Sequence, residues 1–260
     1  MRLKLDLECK PNSTIGLNYL YVLQAVIYKV LERADPVFSQ WLHEKGYDST
    51  GRNFKFFTFD FLRGFYELDK HKGIIRFKEG KISWQISFCV DEPMEKFVIG
   101  LFKDQTLEVV TREGRADFHV KNINALEKLS FTSTTRFRTL TPVCISEDTE
   151  TDKHPQFRSP FDKNFEMFFF NNLENKFREI HSIPRSSNTS LLTPHFKLLS
   201  EPYRKKYHTV KNRDEKPIDT IGYEFDFEIT APPEFLRIGY YSGFGVKNAN
   251  GFGFCEILKN

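Results

Sequence analysis

Apolar and polar residues alternate strictly through Ile82, Trp84, Ile86, Phe88 and Val90, with Ser83, Gln85, Ser87 and Cys89 between them. A period of two belongs to an antiparallel strand with one buried face. The stretch Ile221, Tyr223, Phe225, Phe227 and Ile229 repeats the pattern and predicts another such strand. A period of three to four residues replaces it at Leu20, Leu23, Ile27, Val30 and Leu31, which predicts a helix over residues 18–34 with one apolar stripe. Asp35 then reads as the cap of a short second helix, with Pro36 in the first turn, Phe38, Trp41 and Leu42 on its buried side, and Gly46 as its stop. Ser159-Pro160-Phe161-Asp162 reads as the start of a long helix whose stripe is Phe165, Phe168, Phe169, Leu173, Phe177 and Ile180.

Taken in order, the first half runs strand, helix, short helix, strand, hairpin, helix over residues 93–102, strand, and the second half follows more loosely. That is the β-α-β-β-α-β order of a ferredoxin-like, RRM-like unit used twice in tandem, an α+β chain closed by a C-terminal glycine-rich loop. Residues 1–130 and 131–260 are the expected domains. No residue-level repeat accompanies the duplication, and no linker-like composition marks the boundary near residues 127–135.

Composition sharpens this picture in a few places. A chain of 260 residues buries a proper core without staples. Its formal charge of +3 favours an anionic partner only slightly, so any nucleic-acid signal must be local. The widely spaced Cys9, Cys89, Cys144 and Cys255 form neither a zinc clamp nor a disulfide framework, which suits a reducing cytoplasm. The alternating N-terminus lacks the apolar core of a signal peptide, and no apolar run is long enough to span a membrane. The 28 phenylalanines read chiefly as core, with base-stacking platforms as the other use of such rings. Charge is most biased in residues 203–216, where Arg204, Lys205, Lys206, Lys211, Arg213 and Lys216 are interleaved with Tyr203, Tyr207 and His208. Cations for phosphates beside rings for bases suit a nucleic-acid strand, although a solvated hairpin explains the same residues.

Several catalytic signatures are absent. His43-Glu44 is followed at position 47 by Tyr47, so the two-histidine metalloprotease helix fails. Ser242 lacks the flanking glycine two residues before it, which rules out a nucleophile elbow, and there is no Walker loop. What remains is Gly243-Phe244-Gly245, a five-residue spacer containing Lys247 and Asn248, and Gly251-Phe252-Gly253. Paired glycines leave backbone N–H groups open to phosphate oxygens, or simply permit a tight loop with positive φ angles.

This Gly-Phe-Gly-x-Lys-Asn-x-x-Gly-Phe-Gly segment resembles the C-terminal glycine-rich motif of the CRISPR-associated repeat-processing endoribonucleases of the RAMP superfamily. Residues 18–31, with Ile27-Tyr28, resemble the family's first helix. Trp41-Leu42-His43-Glu44-Lys45-Gly46-Tyr47 is similar to its histidine-bearing turn, and Phe54-Lys55-Phe56-Phe57-Thr58-Phe59 to the strand that follows. Residues 91–217 match in element order alone. The resemblance implies that the chain binds precursor CRISPR RNA and cuts within the repeats. A ribose 2′-OH would attack the adjacent phosphate, leaving a 2′,3′-cyclic phosphate and a 5′-OH, with no metal and no cofactor because the nucleophile lies in the substrate.

On that reading His43 is the proton carrier, as base or acid, since imidazole titrates near neutrality. Tyr28 orients or exchanges a proton with the reacting hydroxyl, or is an ordinary boundary tyrosine that need not be core. Lys55 supplies charge to the crowded phosphate. Asp48-Ser49-Thr50-Gly51 lies between His43 and Lys55, so Lys45 or Arg52 is open as a substitute. Gly243, Gly245, Lys247, Asn248, Gly251 and Gly253, with Arg204, Lys205, Lys206, Lys211 and Arg213, are the expected RNA-binding residues. CRISPR effector subunits and a second copy of the chain are the further partners considered. The competing readings are a non-cutting RAMP-type subunit that holds CRISPR RNA in an effector complex, a general RNA-binding protein, for which no clean aromatic RNP-type strand is present, and a small-molecule enzyme on a versatile fold.

Overall fold

A computed structural model describes residues 1–48, 53–147, 156–184, 194–209 and 218–258. The first half comprises β1 (Arg2–Cys9), β2 (Thr14–Gly16), α1 (Leu20–Ala34), α2 (Pro36–Glu44), β3 (Phe57–Phe59), β4 (Tyr66–Asp69), β5 (Ile74–Phe77), β6 (Ile82–Phe88), α3 (Asp91–Lys103), β7 (Thr106–Val110) and β8 (Arg115–Ala125). The second comprises β9 (Thr134–Thr139), β10 (Ser146–Glu147), β11 (Gln156–Phe157), α4 (Phe165–Ile180), β12 (His195–Leu198), β13 (Tyr203–Thr209), β14 (Ile218–Glu224), β15 (Asp226–Thr230), α5 (Pro233–Ser242) and β16 (Cys255–Ile257).

The main sheets are antiparallel, in the orders β3-β6-β1-β8-β7 and β12-β15-β9-β16. Stripped of β7, the first has the same arrangement as the second: the second strand of the unit at one edge, then the third, first and fourth. Two ferredoxin-like units in tandem follow from this order. In both units a hairpin is inserted between the second and third strands, β4-β5 in the first and β13-β14 in the second. The first hairpin pairs with β2 to make a small three-stranded sheet.

Periodicity explains the layers. Leu3, Leu5 and Leu7 alternate into the first core, where Leu5 stands opposite Trp84 and meets the α1 stripe of Leu23, Ile27 and Leu31. Asp35 does cap α2, accepting the Phe38 N–H at 2.9 Å. The second core is largely phenylalanine: Phe244 lies 4.9 Å from Phe137 and 5.7 Å from Phe169, centroid to centroid.

Two expectations change. Helix α4 begins at Phe165 rather than at Ser159, because the Asp162 carboxylate folds back to accept the Ser159 N–H at 2.7 Å and closes a separate turn. The alternating run from Ile221 to Ile229 is two strands in two sheets, broken at Phe225, where the chain leaves the inserted hairpin for the central sheet and Phe225 N–H donates to the Thr139 hydroxyl.

The halves are bolted together by buried polar contacts. Arg2 on β1 donates to the carbonyls of Tyr240 (2.9 Å) and Cys255 (2.6 Å) and lies over the Tyr240 and Phe254 rings. Thr58 on β3 donates to the Phe252 carbonyl at 3.0 Å, and Asn250 to Gln24 on α1 at 2.7 Å. The last two contacts dock the glycine-rich segment against the first half.

Candidate functional site

Helices α1 and α2 meet nearly back to back after the single residue Asp35, and the join is held by the Ser39 hydroxyl donating to the Tyr28 carbonyl at 2.9 Å. That packing brings Tyr28 and His43 together, edge to face, with ring centroids 4.7 Å apart. Tyr28 is therefore core, 8 % exposed and also packed on Phe57, rather than turned off the apolar stripe. Burial pushes its hydroxyl well above the usual phenol range, with the nearby Gln24 side chain opposing the shift weakly. His43, in the last turn of α2, is exposed.

Lys55 reaches back from the segment before β3 and donates to the His43 backbone carbonyl at 3.0 Å. Burial pulls its ammonium down to about 8, and Asp48 opposes that shift. All three side chains expected to do the chemistry thus converge on one corner of the first half. Lys45, at the end of α2, is exposed, and Arg52 lies outside the described residues.

The glycine-rich segment connects α5 to β16. All four of its glycines have positive φ, and all are buried. A Cβ on Gly245 would lie 2.3 Å from the Cys144 carbonyl oxygen, and one on Gly251 would lie 2.6 Å from the Phe59 ring. The N–H groups of Phe244, Val246, Gly251 and Gly253 donate to protein carbonyls. At Gly245 and Gly251 the missing Cβ lets the loop fit closely against the protein, and its outward face is residues 246–250, with Lys247 exposed. Asn248 works inward, donating to the carbonyls of Phe244 (3.0 Å) and Phe252 (2.9 Å).

Lys176 on α4, which the sequence did not single out, anchors this loop. It is 2 % exposed and donates to the carbonyls of Gly243 (2.6 Å) and Gly245 (2.9 Å) and to Asn248 Oδ1 (2.6 Å). Burial draws its ammonium down to about 7, while three acceptors hold the proton in place. Its trace in the sequence was a lysine standing in step with Phe165, Phe169 and Leu173 on the buried stripe.

The basic hairpin touches the loop through Tyr207, whose ring meets Phe252 edge to face at 5.3 Å. Lys206 pairs with Asp219 at 2.7 Å and Lys205 with Glu224 at 3.4 Å, and Arg204 is exposed on the same strand; Lys211, Arg213 and Lys216 lie outside the described residues. A cavity of about 480 Å³ opens between the halves, bordered by Lys55, α4 and the outward face of the loop. Among the described residues, no three His, Cys, Asp or Glu side chains converge as metal ligands, and no helix is long and apolar enough to cross a membrane.

Residues 14–124 match the family model for CRISPR-associated protein Cas6, N-terminal, and residues 125–257 the model for CRISPR associated protein Cas6, C-terminal. A Methanocaldococcus jannaschii protein named CRISPR-associated endoribonuclease Cas6 1 is 27% identical over 265 residues, covering 100% of this chain and 94% of its own. The Pyrococcus furiosus CRISPR-associated endoribonuclease Cas6 is 24% identical, covering 95% of this chain and 84% of its own. Among solved structures, that of a Cas6-related gene product from Pyrococcus furiosus superimposes with a TM-score of 0.80 at 23% identity, over 100% of this chain and 99% of that one. An RAMP protein described as binding different RNA substrates gives 0.79 at 19% identity over the whole of both chains.

Proposed function

Because the chain belongs to the Cas6 family of CRISPR-associated proteins, we propose that it is an endoribonuclease that binds precursor CRISPR RNA and cuts within its repeats by 2′-OH attack without a metal ion. The observation that carries the reading is the convergence of Tyr28, His43 and Lys55, two of them joined by ring packing and two by a hydrogen bond. The exposed His43 imidazole moves the proton, either from the 2′-OH or to the leaving 5′ oxygen. Tyr28, whose raised pKa keeps its hydroxyl protonated at neutral pH, is a donor and an orienting group rather than a base. Lys55, still charged below about pH 8, stabilises the extra negative charge on the crowded phosphate. Lys247 on the loop and Arg204 on the hairpin add phosphate contacts.

The same reading divides the chain near residue 130, between the end of β8 at Ala125 and the start of β9 at Thr134, with the chemistry in the first domain and the glycine-rich loop in the second. Transfer of the product to effector subunits, and pairing of two copies, belong to it as partners. The test is cleavage of a cognate repeat RNA in excess EDTA, with the product ends analysed. Full cleavage to a cyclic phosphate is expected, and a 2′-deoxy residue at the cut site should stop cutting while leaving affinity nearly unchanged. A strict magnesium requirement, or cutting of the deoxy substrate, overturns the mechanism.

A further inference from the structure

A line of side chains joins the glycine-rich loop to His43. It begins at Asn250, whose Nδ2 donates to Gln24 Oε1 at 2.7 Å. Gln24 and Tyr28 stand one turn apart on the same face of α1. A long side chain on a helix leans back over the preceding turn, which carries the Tyr28 hydroxyl toward Gln24. The line ends where the Tyr28 ring meets the imidazole edge to face, with centroids 4.7 Å apart.

The Tyr28 hydroxyl is the slack joint in this line. It is shut off from solvent and has no aligned hydrogen bond among the described residues, yet the Gln24 side chain is near enough to oppose the rise in pKa that burial imposes. A phenylalanine would keep the packing on His43 and Phe57 without leaving a polar atom orphaned. The hydroxyl therefore makes sense through a bond to a neighbour, and because it has no surface for RNA to touch, that neighbour belongs to the protein. Gln24 can supply the bond. An amide has an acceptor end and a donor end, and Asn250 occupies the acceptor, so Gln24 Nε2 is the end left to donate to the phenol oxygen. A small turn of either side chain aligns the pair, in the way that hydrogen bonds left slack in a free enzyme tighten once substrate is bound.

We propose that Gln24 is a positioning residue for the cleavage step: tethered to the loop by Asn250, it ties down the Tyr28 hydroxyl and so fixes the ring against which the His43 imidazole is aimed. The inference rests on the reading that His43 moves the proton, and it links the loop of the second unit to that proton carrier in the first.

A double-mutant cycle on single-turnover cleavage of cognate repeat RNA, with affinity measured beside it, tests this. Gln24→Met keeps the length and helix preference of the side chain but removes the amide. It should cut about tenfold more slowly at saturating protein, with affinity held within about twofold. Tyr28→Phe should lose about the same factor, and the two together should again lose about tenfold rather than about a hundredfold, because both break one link. Asn250→Ala frees Gln24 without removing it, so it should lose less, and it should cost no further rate once Gln24→Met is in place. A glutamine that merely docks the loop would shift melting and affinity, and its effect would multiply with that of Tyr28→Phe. Wild-type cutting by Gln24→Met while Tyr28→Phe is slow overturns the inference and leaves the reading of the site standing. A double variant slowed by the product of the two factors also overturns it, as does a loss that vanishes at saturating protein. If Tyr28→Phe cuts like wild type, or wild type cuts no repeat RNA, the reading of the site falls and takes the inference with it. Should methionine fail to fold, Gln24→Leu takes its place in every arm.

Discussion

The two units of this protein share one strand order but use their first helices in opposite ways. Helix α1 leads directly into α2, and together they set an exposed imidazole on the surface, backed by a buried tyrosine. Helix α4 turns its polar groups inward: Lys176 is buried against three loop acceptors, and Asn172 is buried beside the cavity. A duplicated scaffold thus places an exposed imidazole on a buried tyrosine on one side and groups that fix a loop on the other. The difference is one of exposure, which decides whether a polar side chain acts on a ligand or holds the protein's own backbone.

The largest effect should come from His43→Ala. On the proposed mechanism it removes the proton carrier, so the single-turnover rate should fall by about 10²–10⁴-fold with RNA affinity held within a few fold. Stopped or quenched cleavage assays beside a binding titration check this, and an unchanged rate would erase the contrast between the two helices. Next is Lys176→Met, which should lower stability by about 1–3 kcal/mol, because the Gly243 and Gly245 carbonyls lose a buried donor, and weaken RNA binding through the loosened loop. At saturating protein the cleavage rate should survive. Thermal melts with binding curves would show it, and a dead enzyme that still binds would place Lys176 with the chemistry instead.

Lys55 gives the finest test. Because burial lowers its pKa to about 8, its charge is present below that pH and lost above it, so the rate should decline as pH rises through about 8. Lys55→Arg keeps its charge throughout that range, so the declining limb should move to higher pH, with the rate below pH 7 changed only a few fold. A limb that stays in place would assign it to another group.

Much of this architecture was legible because its elements are strongly periodic. The α1 stripe, the Asp35 cap and the β6 alternation each state their own geometry. The run from Ile221 to Ile229 was misread for a physical reason: alternation records which face of a strand is buried, not which sheet receives it, and the break at Phe225 leaves the pattern intact. The start of α4 was misplaced because Asp162 favours a turn as readily as a helix cap. His43, Tyr28 and Lys55 were singled out by motif, and the structure brings them together. The glycines were legible as a motif, and at Gly251 and Gly245 the missing Cβ admits the Phe59 ring and the Cys144 carbonyl, which no pattern in the sequence announces. Lys176 and Asn172 stayed hidden because a polar residue on an apolar stripe looks like a boundary position until its partners, or their absence, can be seen.

Arg2 carries a consequence for how the protein is made. Its guanidinium is shared between the carbonyls of Tyr240 and Cys255, the latter 253 residues away. At typical synthesis rates of about 5–20 residues per second, a ribosome reaches Cys255 roughly 10–50 s after it has placed Arg2. Over that interval β1 can already be pairing within the first sheet while the arginine that begins it still lacks the carbonyls it will bind. The nascent first unit is therefore assembled around a socket for a strand not yet translated, and the ring faces that will cover that charge emerge long after it.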